Sequence, residues 1–177
     1  MNASSSFKET LTRRDSRIFV VVWSLLASVA SLIVITTVAA PIALSRGQPG
    51  FSEVIYQAFS YICHQIPERS FHLAGHPFAV CSRCTGLYAG FAFATLALPL
   101  ARSLKRTDTP HLIWLLLSGV PLAIDFGLTY FGVWENNHFT RLTTGALFGA
   151  VAALYVVPGL IELSRNVQRR LSQNHLR

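Results

Sequence analysis

The sequence predicts an all-α membrane protein with four transmembrane helices and a short amphipathic helix at the interface in the first outer loop. Three observations carry that reading. The 177 residues are 51% hydrophobic and only 13% charged, with a mean hydropathy of +0.43, against roughly a quarter charged in soluble domains. Four apolar stretches each approach the ~20 residues that a helix needs to cross a bilayer. The formal charge of +7 is confined to segments that alternate with those stretches. Such hydrophobicity excludes disorder, and none of the four stretches carries the polar stripe of a soluble bundle helix.

Residues 1–17 read as a cytoplasmic tail, with Lys8, Arg13, Arg14 and Arg17. Residues 18–44 form the first span, without one charged side chain. The run is too long for a signal-peptide core, and Ala39 and Ala40 are followed by Pro41 rather than a cleavage site. An outer loop, 45–83, comes next. Within it Phe51, Val54, Ile55, Ala58, Phe59 and Ile62 recur at helical spacing, with Glu53, Gln57 and Ser60 opposite. This stretch is too short to span and is expected at the interface.

Span two lies between Arg83 and Arg102 and is followed by a loop holding Arg102, Lys105 and Arg106. Span three covers 112–131 and contains Asp125. A short outer loop leads to span four, between Arg141 and Glu162. Residues 164–177 are a basic tail with Arg165, Arg169, Arg170 and Arg177. Its Leu163, Val167 and Leu171 lie a turn apart, a pattern that fits either a solvated helix end or a helix on anionic inner-leaflet lipid. The expected organisation is thus one membrane domain, 18–163, between two cytoplasmic tails.

Eleven of the fifteen basic residues fall in the tails and the loop after span two. Both termini are therefore expected in the cytoplasm and the loops 45–83 and 132–141 outside, in a cell (inner) membrane. The positive charge is then a topology signal, and no nucleic-acid partner is needed to explain it.

Spans two and four resemble each other. Aligned without gaps, residues 85–99 and 144–158 agree at Thr85/Thr144, Gly86/Gly145, Gly90/Gly149, Ala94/Ala153 and Pro99/Pro158. An internal repeat of two helix-pair halves fits this match. Gly86, Gly90, Gly145 and Gly149 would form smooth stripes on which two helix backbones approach closely.

The candidate chemistry sits in the first outer loop. All three cysteines, Cys63, Cys81 and Cys84, fall within 22 residues, together with His64, His72 and His76. Cys81-x-x-Cys84 is a local two-thiolate clamp, Cys63 supplies a third sulfur, and His64 or His76 would complete a Cys3His site, with zinc the default ion. His72, between Phe71 and Leu73, is the weakest ligand candidate. A redox reading makes Cys81 and Cys84 a reversible disulfide with Cys63 as resolving partner. A plain disulfide with one spare thiol is the third. No Cys-x-x-Cys-His haem attachment, phosphate-binding glycine loop, Gly-x-Ser-x-Gly elbow or His-Glu-x-x-His zinc motif occurs.

Asp125 lies ~20 Å along span three, at a depth near Cys84 and Tyr88. A carboxylate there must be paired, protonated or hydrated. Arg83 and Arg141 are the expected partners, and a hydrogen bond from a metal-bound His64 is a further role. A small oligomeric transporter built around Asp125 is a third functional class beside metal protein and oxidoreductase. Arg69, Arg83 and Arg141 together could hold an anionic group, although Glu53, Glu68 and Glu135 are near enough in sequence to neutralise them.

Cys63-His64-Gln65, Pro67-Glu68-Arg69-Ser70 and Cys81-x-Arg83-Cys84-Thr85-Gly86-x-Tyr88-x-Gly90 resemble the signature of an uncharacterised membrane-protein family, domain of unknown function 2085. The resemblance implies a small four-helix protein with the Cys-His and Cys-x-x-Cys groups after the first span. The family's later motif, an acid in span three and an Asn/Arg/Thr-Gly group opening span four, is matched by Asp125, Arg141, Thr144 and Gly145. The pattern places Asn three residues before the Arg, where this chain has His138, with Asn137 one earlier. The resemblance implies no particular activity.

Overall fold

The computed structural model describes residues 3–101 and 109–174. Arg102, Lys105, Arg106 and Arg177 of the expected cytoplasmic charge lie outside the described residues, as do the side chains of Lys8, Arg13 and Arg14. The chain is an all-α, multi-pass membrane bundle, with five helices among the described residues: α1 Ala3–Ser45, α2 Pro49–Ser60, α3 Ser82–Ala101, α4 Ile113–Tyr130 and α5 His138–Asn174. A 3-10 turn, Pro67–Arg69, and a two-stranded ribbon, β1 His72–Leu73 and β2 His76–Pro77, connect α2 to α3.

Three helical stretches among the described residues are long and apolar enough to cross a membrane: Ser16–Ser45, Ile113–Tyr130 and His138–Leu171. The sequence predicts four. The fourth expected span corresponds to α3, Ser82–Ala101, which is not among these three. The basic tail continues α5 without a break to Asn174, in keeping with the one-turn spacing of Leu163, Val167 and Leu171.

The centre of the bundle is the seam between α3 and α5. A Cβ built on Gly86 would strike the Leu142 carbonyl, and one on Gly90 the Ala146 carbonyl. On the other helix, Gly145 faces the Arg83 carbonyl and Gly149 the Leu87 carbonyl in the same way. The paired numbers rise together, so α3 and α5 run parallel. Only glycine permits this spacing, at which backbones and not side chains make the contact.

Two prolines tie α1 to the rest. A proline lacks the N–H that would bond the carbonyl four residues earlier, leaving that oxygen free. Pro41 frees the Thr37 carbonyl, which accepts from Ala79 N at 3.2 Å. Pro99 frees the Thr95 carbonyl, which accepts from Trp23 Nε1 at 2.7 Å. α1 therefore lies antiparallel to α3. Apolar clusters close both ends, one of Ala40, Ile55, Phe59, Cys63, Ala79 and Val80, the other of Phe19, Leu98, Val157 and Ile161. Tyr155 Oη donates to His111 O at 2.7 Å, joining the start of α4 to α5.

α2 buries one side, Ser52, Ile55 and Phe59, against the end of α1, where Ser52 Oγ donates to Ala40 O at 2.8 Å. Nothing in the sequence pattern predicts the ribbon. Ala74 (φ 52°) and Gly75 (φ 83°) form its two-residue turn, and two successive positive φ values suit the twist of a tight hairpin.

Candidate thiol site and its arginine-lined cavity

The chain between α2 and α3 folds back so that three sulfurs meet. Cys63 follows α2 and is 6% exposed, while Cys81 immediately precedes α3 and Cys84 lies in its first turn. The Sγ atoms of Cys63, Cys81 and Cys84 all lie within 4.8 Å of one another, and all three are free thiols. The backbone N–H of Cys81 donates to Cys63 Sγ at 3.2 Å. Hydrogen bonds from the Cys63 and then the Cys84 side chain hold the Cys81 thiol far below its ordinary pKa, against the opposing effect of burial.

Gln65 fixes this fold-back. It takes a positive φ of 53°, and its Nε2 donates to Tyr56 O at 2.7 Å and to Ala79 O at 2.8 Å. One amide thus links α2 to the segment that delivers Cys81. Tyr56 Oη donates to Pro77 O. Ser82, fully buried, donates to Arg69 O at 3.0 Å and shares a 2.8 Å hydrogen bond with His138 Nδ1. Because its one proton goes to Arg69, His138 is the donor in that pair.

No histidine joins the sulfurs among the described residues, so the expected Cys3His set is not assembled. His64 is exposed and lines the cavity in front of the cysteines. His76 is held in the ribbon opposite Leu73, and His72 Nδ1 lies 3.1 Å from Ser70 O. What remains is a three-cysteine cluster able to coordinate a metal ion or to undergo redox chemistry.

Asp125 faces this region from α4. Arg83 Nη2 donates to its Oδ2 at 2.5 Å, and Asn136 Nδ2 donates to the same oxygen at 2.7 Å. Asn136 Oδ1 in turn accepts from Arg141 Nε at 2.5 Å. The chain Arg83–Asp125–Asn136–Arg141 therefore joins α3, α4 and α5. Arg141 reaches Asp125 through an amide and not directly, and His64 does not meet the carboxylate. Asn137 serves α5 instead, where its Oδ1 accepts from Thr140 N at 2.8 Å and caps the helix. Asn136 carries no periodic mark in the sequence, and Gln65 stands out there only as part of the Cys63-His64-Gln65 signature. A signal for the first exists in the Asn136-Asn137 pair, since one Asn suffices for the cap and leaves the other for Arg141.

A cavity of about 430 Å³ opens in front of the sulfurs. Cys63, Cys81 and Cys84 share its wall with His64, Gln65, Arg69, Arg83 and Arg141, while Phe126 and Tyr130 close it from α4. The Arg83 guanidinium also lies 5.6 Å from the centre of the Phe126 ring.

Fold and site together define a multi-pass membrane protein that gathers a cysteine cluster at one end of its bundle. The chain belongs to the family described as "Predicted membrane protein (DUF2085)", whose model matches residues 63–155. It is 33% identical over 109 residues to an uncharacterized protein of Methanocaldococcus jannaschii, covering 62% of this chain and 70% of that one. It is 41% identical over 92 residues to an uncharacterized protein of Methanothermobacter thermautotrophicus, covering 52% and 81%. No solved structure matches the chain.

Proposed function

We propose that the protein is a membrane thiol–disulfide oxidoreductase working through Cys81 and Cys84, with Cys63 as the third sulfur. The observation that carries this is the mutual approach of three free thiols within 4.8 Å, with no histidine among them in the described residues. Cys81 and Cys84 flank the N-terminus of α3, whose positive end favours a thiolate. The Cys81 thiolate attacks a disulfide of a partner, and Cys84 then displaces the partner's sulfur. Two protein thiols become one disulfide and the partner's disulfide becomes two thiols, so electrons and protons balance. Cys63 can exchange into the Cys81–Cys84 bond with no net change of oxidation state.

In this reading α3 is the fourth crossing, since it runs parallel to α5 and reaches Leu98 beside Val157 and Ile161. The cysteine end then faces outward from a cell (inner) membrane with both termini cytoplasmic, and α2 rests at the outer interface. A second reading is favoured by the Cys81 N–H on Cys63 Sγ, a bond suited to a metal-bound thiolate. There the three sulfurs hold one zinc ion and leave its fourth position open to the cavity. Asp125 and its partners act in both readings as a tie beneath the site.

The two readings separate on protein purified without reductant or chelator. One free thiol per chain and no bound metal is the expected result. About one zinc per chain with all three thiols protected would overturn the redox reading in favour of the metal one. The reduced protein offers a second check. Because the Cys81 pKa is lowered, its thiolate is already formed at neutral pH. Its alkylation by iodoacetamide should therefore stay nearly flat between about pH 6 and 9, whereas an ordinary cysteine gains about tenfold per unit below its pKa near 8.5. A rate that climbs tenfold per unit over that window would show an unactivated thiol.

A further inference from the structure

The cavity before the thiols carries more positive charge than the protein balances. Arg69 reaches it from the 3-10 turn, Arg83 from α3 and Arg141 from α5. Among the described residues the sole ion pair is Arg83 with Asp125. Glu53, Glu68 and Glu135 pair with none of the three arginines.

Arg141 is the informative member. It is only 8% exposed, yet its protein partner is the neutral amide of Asn136, which engages Nε alone. That bond orients the guanidinium without neutralising it and leaves the two terminal nitrogens unengaged. Those two nitrogens are not sealed in the protein interior but face the cavity, where water or an anion must take them, and an anion would neutralise the charge that Asn136 leaves. A Cys81 thiolate offsets part of the charge, but one anion cannot match two unpaired arginines. Three forked donors converging from three elements suit a ligand with several oxygens directed apart. Ile62, Ile66, Phe126 and Tyr130 add apolar wall, which fits an organic substituent on that ligand.

We propose that this cavity binds a tetrahedral oxyanion of the phosphate class, with Arg69 and Arg141 as its main contacts and Arg83, anchored by Asp125, at its flank. The ligand is a phosphate ester in solution or the headgroup of an anionic phospholipid. The site goes beyond the thiol reading and stands whichever chemistry the sulfurs carry.

The test uses the full chain in non-ionic detergent, with thermal unfolding as the readout. Inorganic phosphate should raise the unfolding midpoint in a saturable way while chloride at equal ionic strength does not, because a ligand of the native state stabilises it in proportion to its occupancy. Micelles doped with phosphatidylglycerol should do so at lower concentration than inorganic phosphate if the headgroup is the ligand. They should add nothing beyond phosphatidylcholine if a soluble ester is. Arg141→Gln should abolish the shift. Arg69→Gln alters an exposed side chain, leaves the fold intact and should weaken binding about tenfold. Absence of a shift with both phosphate and phosphatidylglycerol would overturn the proposal, as would equal shifts in the wild type and Arg69→Gln. Neither readout depends on the thiols, so the redox reading and this one can fail separately.

Discussion

Gly90→Leu separates α3 from α5 and is expected to cost at least about 3 kcal/mol, the upper end of the range for an overpacked core. The reason is what the new side chain meets. A Cβ at Gly90 lands on the backbone of Ala146, and one at Gly149 lands on that of Leu87. A side chain in the way can change rotamer, but a carbonyl inside a helix cannot move without breaking its own hydrogen bond. The helices must then part, and with them Cys84 on one side and Arg141 on the other. Gly149→Leu should match Gly90→Leu, whereas Gly127→Leu, at which an added Cβ meets nothing within 4 Å, should change stability by less than about 0.5 kcal/mol. Unfolding in detergent measures all three. Equal stability of the Gly90 and Gly127 variants would show that the close seam does not hold the bundle.

That seam lay in plain view in the sequence, because small residues at a spacing of four have a geometry of their own. So did the gathering of three cysteines, since 22 residues of chain leave few ways to keep them apart. The parts that escaped sequence reading share a physical cause. Gln65 works by a positive φ and two carbonyl partners, one nine residues before it and the other fourteen after. Neither leaves a periodic mark. Asn136 bridges an acid on α4 to an arginine on α5, a role set by how far two helices stand apart. For the histidines, nearness in sequence does not become nearness in space. His64 adjoins a cysteine in sequence, but a sharp turn at Gln65 leaves its side chain exposed. Pro41 and Pro99 do leave a mark in the sequence: each frees one carbonyl, and each freed carbonyl accepts a bond that crosses to another part of the fold.

Asp125→Ala is expected to cost about 3 kcal/mol, the lower end for breaking a buried ion pair. The lower end applies because the Asp125 side chain is 10% exposed but that of Arg83 is 22% exposed, so water can partly take the place of the lost carboxylate. Two groups lose their acceptor together, the Arg83 guanidinium and the Asn136 amide. The damage does not stop at stability. α4 packs chiefly on α5, and the Arg83–Asp125 pair is its tie to α3. Phe126 and Tyr130 form the α4 side of the thiol cavity, so a loosened α4 opens that cavity to solvent. Reaction of reduced Cys63 with a bulky maleimide should accordingly accelerate in Asp125→Ala. A double variant, Arg83→Leu with Asp125→Leu, removes both charges and should be more stable than Asp125→Ala alone, because no buried cation is left uncompensated. If the double variant instead loses the sum of the two single changes, the two residues are uncoupled and the carboxylate has a purpose other than restraining Arg83. Coupled energies with unchanged thiol oxidation would make Asp125 a structural strut, whereas a shift of the Cys81–Cys84 disulfide equilibrium in Asp125→Asn would place its charge within the working electrostatics of the thiols.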